Sequence, residues 1–389
     1  NVNSGPDFFN AQLSIGTQMW AGNVEIHVKS SDWYVHHHET DPAYDNVILH
    51  VVWEHNTEVF RKDNTPIPTL ELKNYVLAHT VTNYTNLINQ KNHWIPCEST
   101  ILEVDSFTMS HWIERLYLER LETKYKAIEK QLVESKHDWE AVLFWQIAKN
   151  FGLKVNGDAF LSIAKSIDFS VIRKLQQDVF QLETLFFGQS GLLETDVQDS
   201  YISDLRNHYK FLKNKFSLSN EGVLPVQFFR LRPPNFPTIR LAQLAYLYSQ
   251  QTNLFSKLMK ARSLEKLYAV FEGATSTFWE THYTFDKTSK FAPKKLTKSF
   301  INLLIINTIV PIKFAFNKFN RHQTQDDVVS IMQHIPMEHN RIVDKFHSLY
   351  AFGKTALDSQ ALIQLKENYC SKNKCLQCAI GSALLNRNS

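Results

Sequence analysis

The sequence predicts an α+β protein: a small N-terminal mixed-sheet α/β domain over residues 1–105, followed by a large all-helical domain over residues 106–389. Three observations carry that expectation. Strand-like alternation is confined almost wholly to the first ~75 positions, where apolar and polar residues exchange places every second residue. From Ser106 onward, apolar residues recur at helical intervals, with Glu and Lys on the opposite face. The chain has 389 residues, 43% hydrophobic and 21% charged, which is the composition of an ordinary globular protein with length enough for two cores.

The elements follow in order. Residues 8–15 and 20–29 read as the two strands of a hairpin. Alternation then places Glu25, His27 and Lys29 on one face, and Val24, Ile26 and Val28 on the other, which is expected to be the buried one. Residues 32–44 read as a short helix and a turn, with Asp32 as helix N-cap and Pro42 starting a further helical turn. A strand over 46–53 completes a strand-helix-strand unit, and a weaker strand lies around 65–72. Helices are expected at 138–151, 158–167, 170–187, 200–216, 241–260, 264–271, 296–319, 326–334, 340–350 and 359–369. Two irregular segments, 225–240 and 276–295, interrupt the series and are rich enough in specific residues to line a groove. The apolar run 300–316 is broken by Asn302, Asn307, Thr308, Pro311 and Lys313, so it reads as a buried helix and no membrane insertion is expected.

The chemistry concentrates near the amino terminus. Asp7 stands at the mouth of the first strand, where it is placed to share a divalent cation, Mg²⁺ or Mn²⁺, with Glu25, since hard cations take a few carboxylate oxygens and keep several waters. His27, with an unperturbed pKa near ~6.5, suits a base or a ligand, and Lys29 one step along the same face suits a phosphate. A rival chemistry uses the same region: His27, Asp32, His36, His38, Asp41 and His50 form a dense set of nitrogen and oxygen ligands for Zn²⁺ or Mn²⁺. Successive rings on a helix point in different directions, so at most two of His36, His37 and His38 serve one ion. For any one of these histidines a solvated or satisfied structural role is the plainer alternative.

Three thiols, Cys370, Cys375 and Cys378, gather near the carboxyl end, and Cys97 is the only other cysteine. Four thiolates would hold Zn²⁺ or an iron-sulfur cluster; packing of buried cysteines is the alternative. Arg230, Arg232 and Arg240 alternate with aromatic residues on a proline-stiffened loop, a mixture that suits phosphate contact and base stacking, or else an internal brace. Lys294 and Lys295 belong to a lysine patch that follows Trp279, His282, Tyr283 and Phe285. With Trp33 and His36, these arginines and lysines are the candidate substrate contacts. The formal charge of +3 is too small to argue for nucleic acid by itself, and so few cysteines in so long a chain point to a reducing compartment, the cytoplasm.

The arrangement Pro6-Asp7 followed by Glu25-Ile26-His27 resembles the active-site signature of the restriction-endonuclease-like nuclease superfamily, Pro-Asp then Asp/Glu-x-Lys, over the first ~55 residues. The resemblance implies that Asp7 and Glu25 bind metal, that His27 replaces the lysine which orients the attacking water, and that the substrate is the phosphodiester bond of DNA or RNA. It also implies an acidic residue on a helix that would precede Asn1. A non-catalytic nucleic-acid-binding or scaffold protein, and a zinc hydrolase built on the histidines, are the alternatives. At full length, the stretches at 5–11, 20–27, 31–33, 41–44, 46–52 and 232–237, with the terminal cysteines, resemble an uncharacterised bacterial family, domain-of-unknown-function family 2851, whose members begin some tens of residues earlier. That likeness implies a shared fold and supplies no activity.

Overall fold

The computed structural model describes residues 5–89, 93–321 and 326–387. The α+β expectation holds, with a four-stranded mixed sheet in the N-terminal part and a mostly helical remainder. Two compact units emerge: unit 1 comprises Asn1–Val104 and Asn373–Ser389, and unit 2 comprises Asp105–Lys372. The boundary at Val104 lies just before the helical spacing begins at Ser106. The return of the last residues to unit 1 differs from the expected division at 105, because a tail of 17 residues carries no pattern that names its packing partner.

In unit 1, β1 (Phe8–Ile15) and β2 (Gln18–Lys29) form an antiparallel hairpin whose turn contains Gly16 at φ +62°, a conformation glycine adopts without a Cβ clash. β3 (Val47–Glu54) lies parallel to β2, and β4 (Thr69–Glu71) lies parallel to β3, in the order β1-β2-β3-β4. The expected strand-helix-strand crossover is therefore present. Gly22 is required by the close approach of β3: a Cβ there would stand 2.4 Å from Ile48 Cγ2 and 2.6 Å from the Asn46 carbonyl oxygen. β1 carries an irregularity between Phe8 and Ala11, with Asn10 at φ 53° and its N–H donating to Asn23 Oδ1 at 3.2 Å. Phe8 then pairs with Val24, which sets Asp7 beside Glu25.

The crossover contains one helical turn, α1 (Asp32–Val35). Its N-cap is Ser31, not Asp32; the Asp32 carboxylate instead accepts the Lys29 N–H at 2.9 Å. Pro42 does open a 3₁₀ turn, Pro42–Tyr44, capped by Asp41 through the Ala43 N–H. Trp33, Tyr44, Val47, Val59 and Ile67 form a buried cluster. Around Glu25 to Val28 the expected roles of the two sheet faces are reversed. Ile26 and Val28 are 42% and 66% exposed, although Val24 on their face is buried, whereas Glu25 and His27 face the packed side.

Unit 2 is built on the 29-residue helix Ser106–Glu134, started by the Asp105 carboxylate accepting the Thr108 N–H. The expected helices at 200–216 and 326–334 are found as such. Others are divided: 170–187 becomes Phe169–Leu175 and Val179–Gln189, because Asp178 caps a new start, and 241–260 becomes Pro237–Gln250 and Leu254–Lys260 around Asn253 at φ 57°. The segment Lys298–Phe319 is long and apolar enough to cross a bilayer, but 72% of its most apolar window is buried inside the protein. Its middle, Ile305–Ile309, widens to a π-turn just before Pro311, whose ring and missing N–H are incompatible with the regular ladder.

Candidate metal centre

The hairpin and the crossover bring six side chains of unit 1 to one place. Asp7 and Glu25 are clamped reciprocally across β1 and β2: the Asp7 N–H donates to Glu25 Oε2 at 3.0 Å, and Asp7 Oδ2 accepts the Ile26 N–H at 3.1 Å. The other oxygen, Glu25 Oε1, lies 3.5 Å from His27 Nε2 and 3.5 Å from His38 Nε2. His27 Nε2 is 3.1 Å from His36 Nδ1, and His27 Nδ1 is 2.8 Å from His50 Nε2. His50 reaches His27 because Glu25 pairs with His50, and His27 with Val52, in the parallel β2-β3 register. The side chains of His27, Glu25 and His38 are only 6%, 8% and 11% exposed.

How His36 and His38 converge is a matter of helix termination. α1 ends in a Schellman motif, with the His38 N–H donating to the Trp33 carbonyl at 3.0 Å and the His37 N–H to the Tyr34 carbonyl at 3.2 Å. His37 takes the left-handed position at φ 59°, where glycine is usual, and its ring points to solvent with 81% exposure. His36 and His38 flank it and turn back toward β2. Tyr44 stacks on the His38 ring at 3.7 Å, and Trp33 packs edge-on against His38 and tilted against His50.

One ligand atom from each of His27, His36 and His38 lies within 4.8 Å of the other two. Donors at metal-bond distance from one tetrahedral cation stand about 3.3 Å apart; His27 Nε2 is near that spacing from His36 Nδ1 (3.1 Å) and Glu25 Oε1 (3.5 Å), as is His38 Nε2 from Glu25 Oε1 (3.5 Å). The charge states fit as well. Burial lowers the His27 pKa to about 4, with His38 and His36 adding to it, and burial followed by His27 lowers that of His50 to about 4. Burial, then His36, lowers His38. The imidazoles thus keep their lone pairs at neutral pH, and their contacts with Glu25 are not ion pairs there. Burial raises Glu25 to about 7; the Asp7 N–H opposes this and the Asp7 charge reinforces it.

The structure distributes the expected site residues unevenly. Asp7, Glu25 and His27 are brought together, but the group within ligand reach is built on imidazoles, with Asp7 as an exposed clamp. Lys29 is exposed at the end of β2 and, among the described residues, makes no side-chain contact with the group. Of the metallohydrolase set, His27, His36, His38 and His50 join, whereas Asp32 and Asp41 are spent on backbone N–H groups. His36 changes from a substrate contact to a candidate ligand. Trp33 is not a substrate contact, since only 1% of it is exposed in the unit 1 core.

Arg240 and Lys294 are likewise corrected. Arg240 is buried, donates to Gln243 Oε1 and Asn235 Oδ1, and lies 3.7 Å over the Phe300 ring. Lys294 is buried and donates to the carbonyls of Glu280 and Ala292. Both brace unit 2: Arg240 lies on a buried face of the helix Pro237–Gln250, and the segment of Lys294 folds inward. Arg230, Arg232 and Lys295 are exposed, with Arg230 over the Phe229 ring at 5.0 Å. Tyr44 escaped the sequence reading altogether, since nothing local marks an aromatic residue that will stack on a distant histidine.

Cys97, Cys375 and Cys378 are buried in unit 1, and Cys370 lies in the short turn that closes unit 2; no disulfide joins any of the four. Burial pushes the Cys97 thiol up to about 12, with Cys378 and Cys375 contributing, and burial raises Cys375 too.

No curated protein and no solved structure matches the chain. A family model described as protein of unknown function, DUF2851, matches residues 1–341, and the chain belongs to that family.

Proposed function

We propose that unit 1 is a metal-dependent hydrolase of phosphodiester bonds, with its cation held by His27, His36, His38 and Glu25. The observation that carries this reading is the convergence of His27, His36 and His38, each with a ligand atom within 4.8 Å of the other two, with Glu25 Oε1 3.5 Å from His27 Nε2 and from His38 Nε2. Support for the substrate class comes from the resemblance of Pro6-Asp7 and Glu25-Ile26-His27 to the nuclease signature on adjacent strands, although Asp7 here clamps Glu25 and stands outside the ligand group. A nitrogen-rich set favours Mn²⁺ or Zn²⁺ over Mg²⁺, which prefers oxygen. When bound, such a cation supplies a Lewis acid and lowers the pKa of water. The chain's own part is to hold donors in place. Asp7 fixes the Glu25 carboxylate through its N–H, Tyr44 fixes the His38 ring by stacking, and exposed His36 leaves one side of the group open to a substrate.

The test is titration of the metal-stripped protein with Zn²⁺ and Mn²⁺, followed by assay on DNA, RNA and bis(p-nitrophenyl) phosphate. The wild type is expected to bind one ion at this site and to cleave. Glu25→Gln and His38→Ala are expected to lose both properties while retaining the fold. Absence of metal uptake would overturn the reading, and salt-sensitive nucleic-acid binding without cleavage would replace it with a non-catalytic role.

A further inference from the structure

We propose that His50 is the positioning residue that sets the tautomer of His27 for cation binding, an inference that rests on the metal reading above. His50 is fully buried on β3, and its Nε2 lies 2.8 Å from His27 Nδ1. Its other nitrogen, Nδ1, is buried and has no hydrogen-bond partner among the described residues.

Two proton placements satisfy the short contact. In one, His50 Nε2–H donates to His27 Nδ1. His50 Nδ1 is then a bare buried acceptor, and His27 carries its proton on Nε2, the nitrogen that faces His36 and Glu25. In the other, His27 Nδ1–H donates to His50 Nε2. His27 Nε2 is then a bare lone pair aimed at the ligand group, and His50 carries its proton on Nδ1. In the first placement the His27 Nε2–H is met by His36 Nδ1 and Glu25 Oε1, so it is favoured without a cation. Only the second permits ligation through Nε2, because a protonated ring nitrogen has no lone pair to give.

Cation binding therefore goes with an exchange of tautomers in both rings. The proton in the short contact passes from His50 Nε2 to His27 Nδ1, His27 gives its Nε2 proton to solvent, and His50 takes one from solvent on Nδ1. Both imidazoles remain neutral and no net proton is released. His50 acts as the acceptor that orients a ligating histidine, the place usually taken by a carboxylate or a carbonyl.

The experiment uses the full chain, stripped and then loaded with Zn²⁺ or Co²⁺. Nitrogen-15 NMR of the wild-type histidines is expected to show His27 changing from the Nε2–H to the Nδ1–H form on Zn²⁺ binding, with His50 changing in step. His50→Phe, which keeps a ring but has no acceptor, is expected to weaken Co²⁺ binding roughly 10–100-fold and to alter its visible spectrum. His50→Gln, which offers an amide oxygen, is expected to recover part of the loss. If His50→Phe binds Co²⁺ as the wild type does with an unchanged spectrum, or if His27 keeps its Nε2 proton in the Zn²⁺-loaded protein, the role of His50 is overturned while the metal site stands. If the wild type takes no metal, both proposals fall together. The wild-type NMR result decides the matter even if His50→Phe does not fold.

Discussion

Glu25 in unit 1 and Glu183 in unit 2 are both buried carboxyl groups whose pKa is raised to about 7, chiefly by burial, yet their surroundings differ in kind. Glu183 is closed in by hydroxyl groups: Tyr201 donates to Oε2, and Ser276 donates to Oε1 at 2.8 Å and to Oε2 at 3.1 Å. Every donor is neutral and satisfied by the contact, so the carboxyl is a knot that ties the helices Val179–Gln189 and Ser200–Phe216 to the turn at Thr277–Glu280. Glu25 faces two imidazole nitrogens at 3.5 Å, a distance too long for a strong hydrogen bond, and those rings hold lone pairs. A similar upward shift thus marks a brace in one unit and a ligand set in the other. A raised pKa alone is no sign of function; the chemistry of the facing atoms decides.

The largest expected effect breaks the likeness on the Glu183 side. Its folded pKa lies above the ordinary value of 4.5, so its stabilising contribution is complete below pH 4.5 and is lost as pH rises through about 7. The shift corresponds to about 3 kcal/mol. In urea denaturation, Glu183→Gln is expected to match the wild type at pH 4.5 and to exceed it by about that amount at pH 8, so parallel pH profiles would refute the assignment. Next comes the Glu25 side. Zn²⁺ at a hundred times its dissociation constant is expected to stabilise unit 1 by about 2.7 kcal/mol, seen as a raised melting temperature. The gain should vanish in His27→Ala and persist in Glu183→Gln.

A smaller effect sharpens the contrast. At pH 4.5, where the raised Glu25 carboxyl is protonated, Glu25→Gln removes a group that no strong donor except the Asp7 N–H requires, so the metal-free protein is expected to change by about 1 kcal/mol or less, while metal affinity at neutral pH is lost. A destabilisation several times larger would make Glu25 a brace like Glu183. Smallest is His37→Asn, which keeps a residue tolerant of the left-handed position; stability within about 0.5 kcal/mol and unchanged metal binding are expected. Loss of metal in that variant would show that the exposed ring, not its neighbours, is the ligand.

Much of unit 1 was legible in its residues. Alternation located β1, β2 and β3, the turn residues closed the hairpin, and the same two-residue period put Glu25 and His27 on one face. Helical spacing from Ser106 onward likewise announced unit 2, although not the breaks at Asp178 and Asn253, where a cap and a left-handed residue overrule a continuous apolar pattern.

Local order and side-chain alternation are what the sequence by itself determined, because they depend on neighbours within a few positions. Only the tertiary structure decided which face of the sheet is covered, since Trp33 and Tyr44 arrive from the crossover to pack against His38, which stacks on His27, while Ile26 and Val28 are left outside. It also decided that His36 and His38 meet beside His27, through a Schellman turn no periodicity foretells, and that Arg240 and Lys294 fold inward. The reason is the same in each case. The direction of a side chain is set by its own backbone, but its surroundings are set by segments distant in sequence, whose arrival depends on the packing of the whole unit.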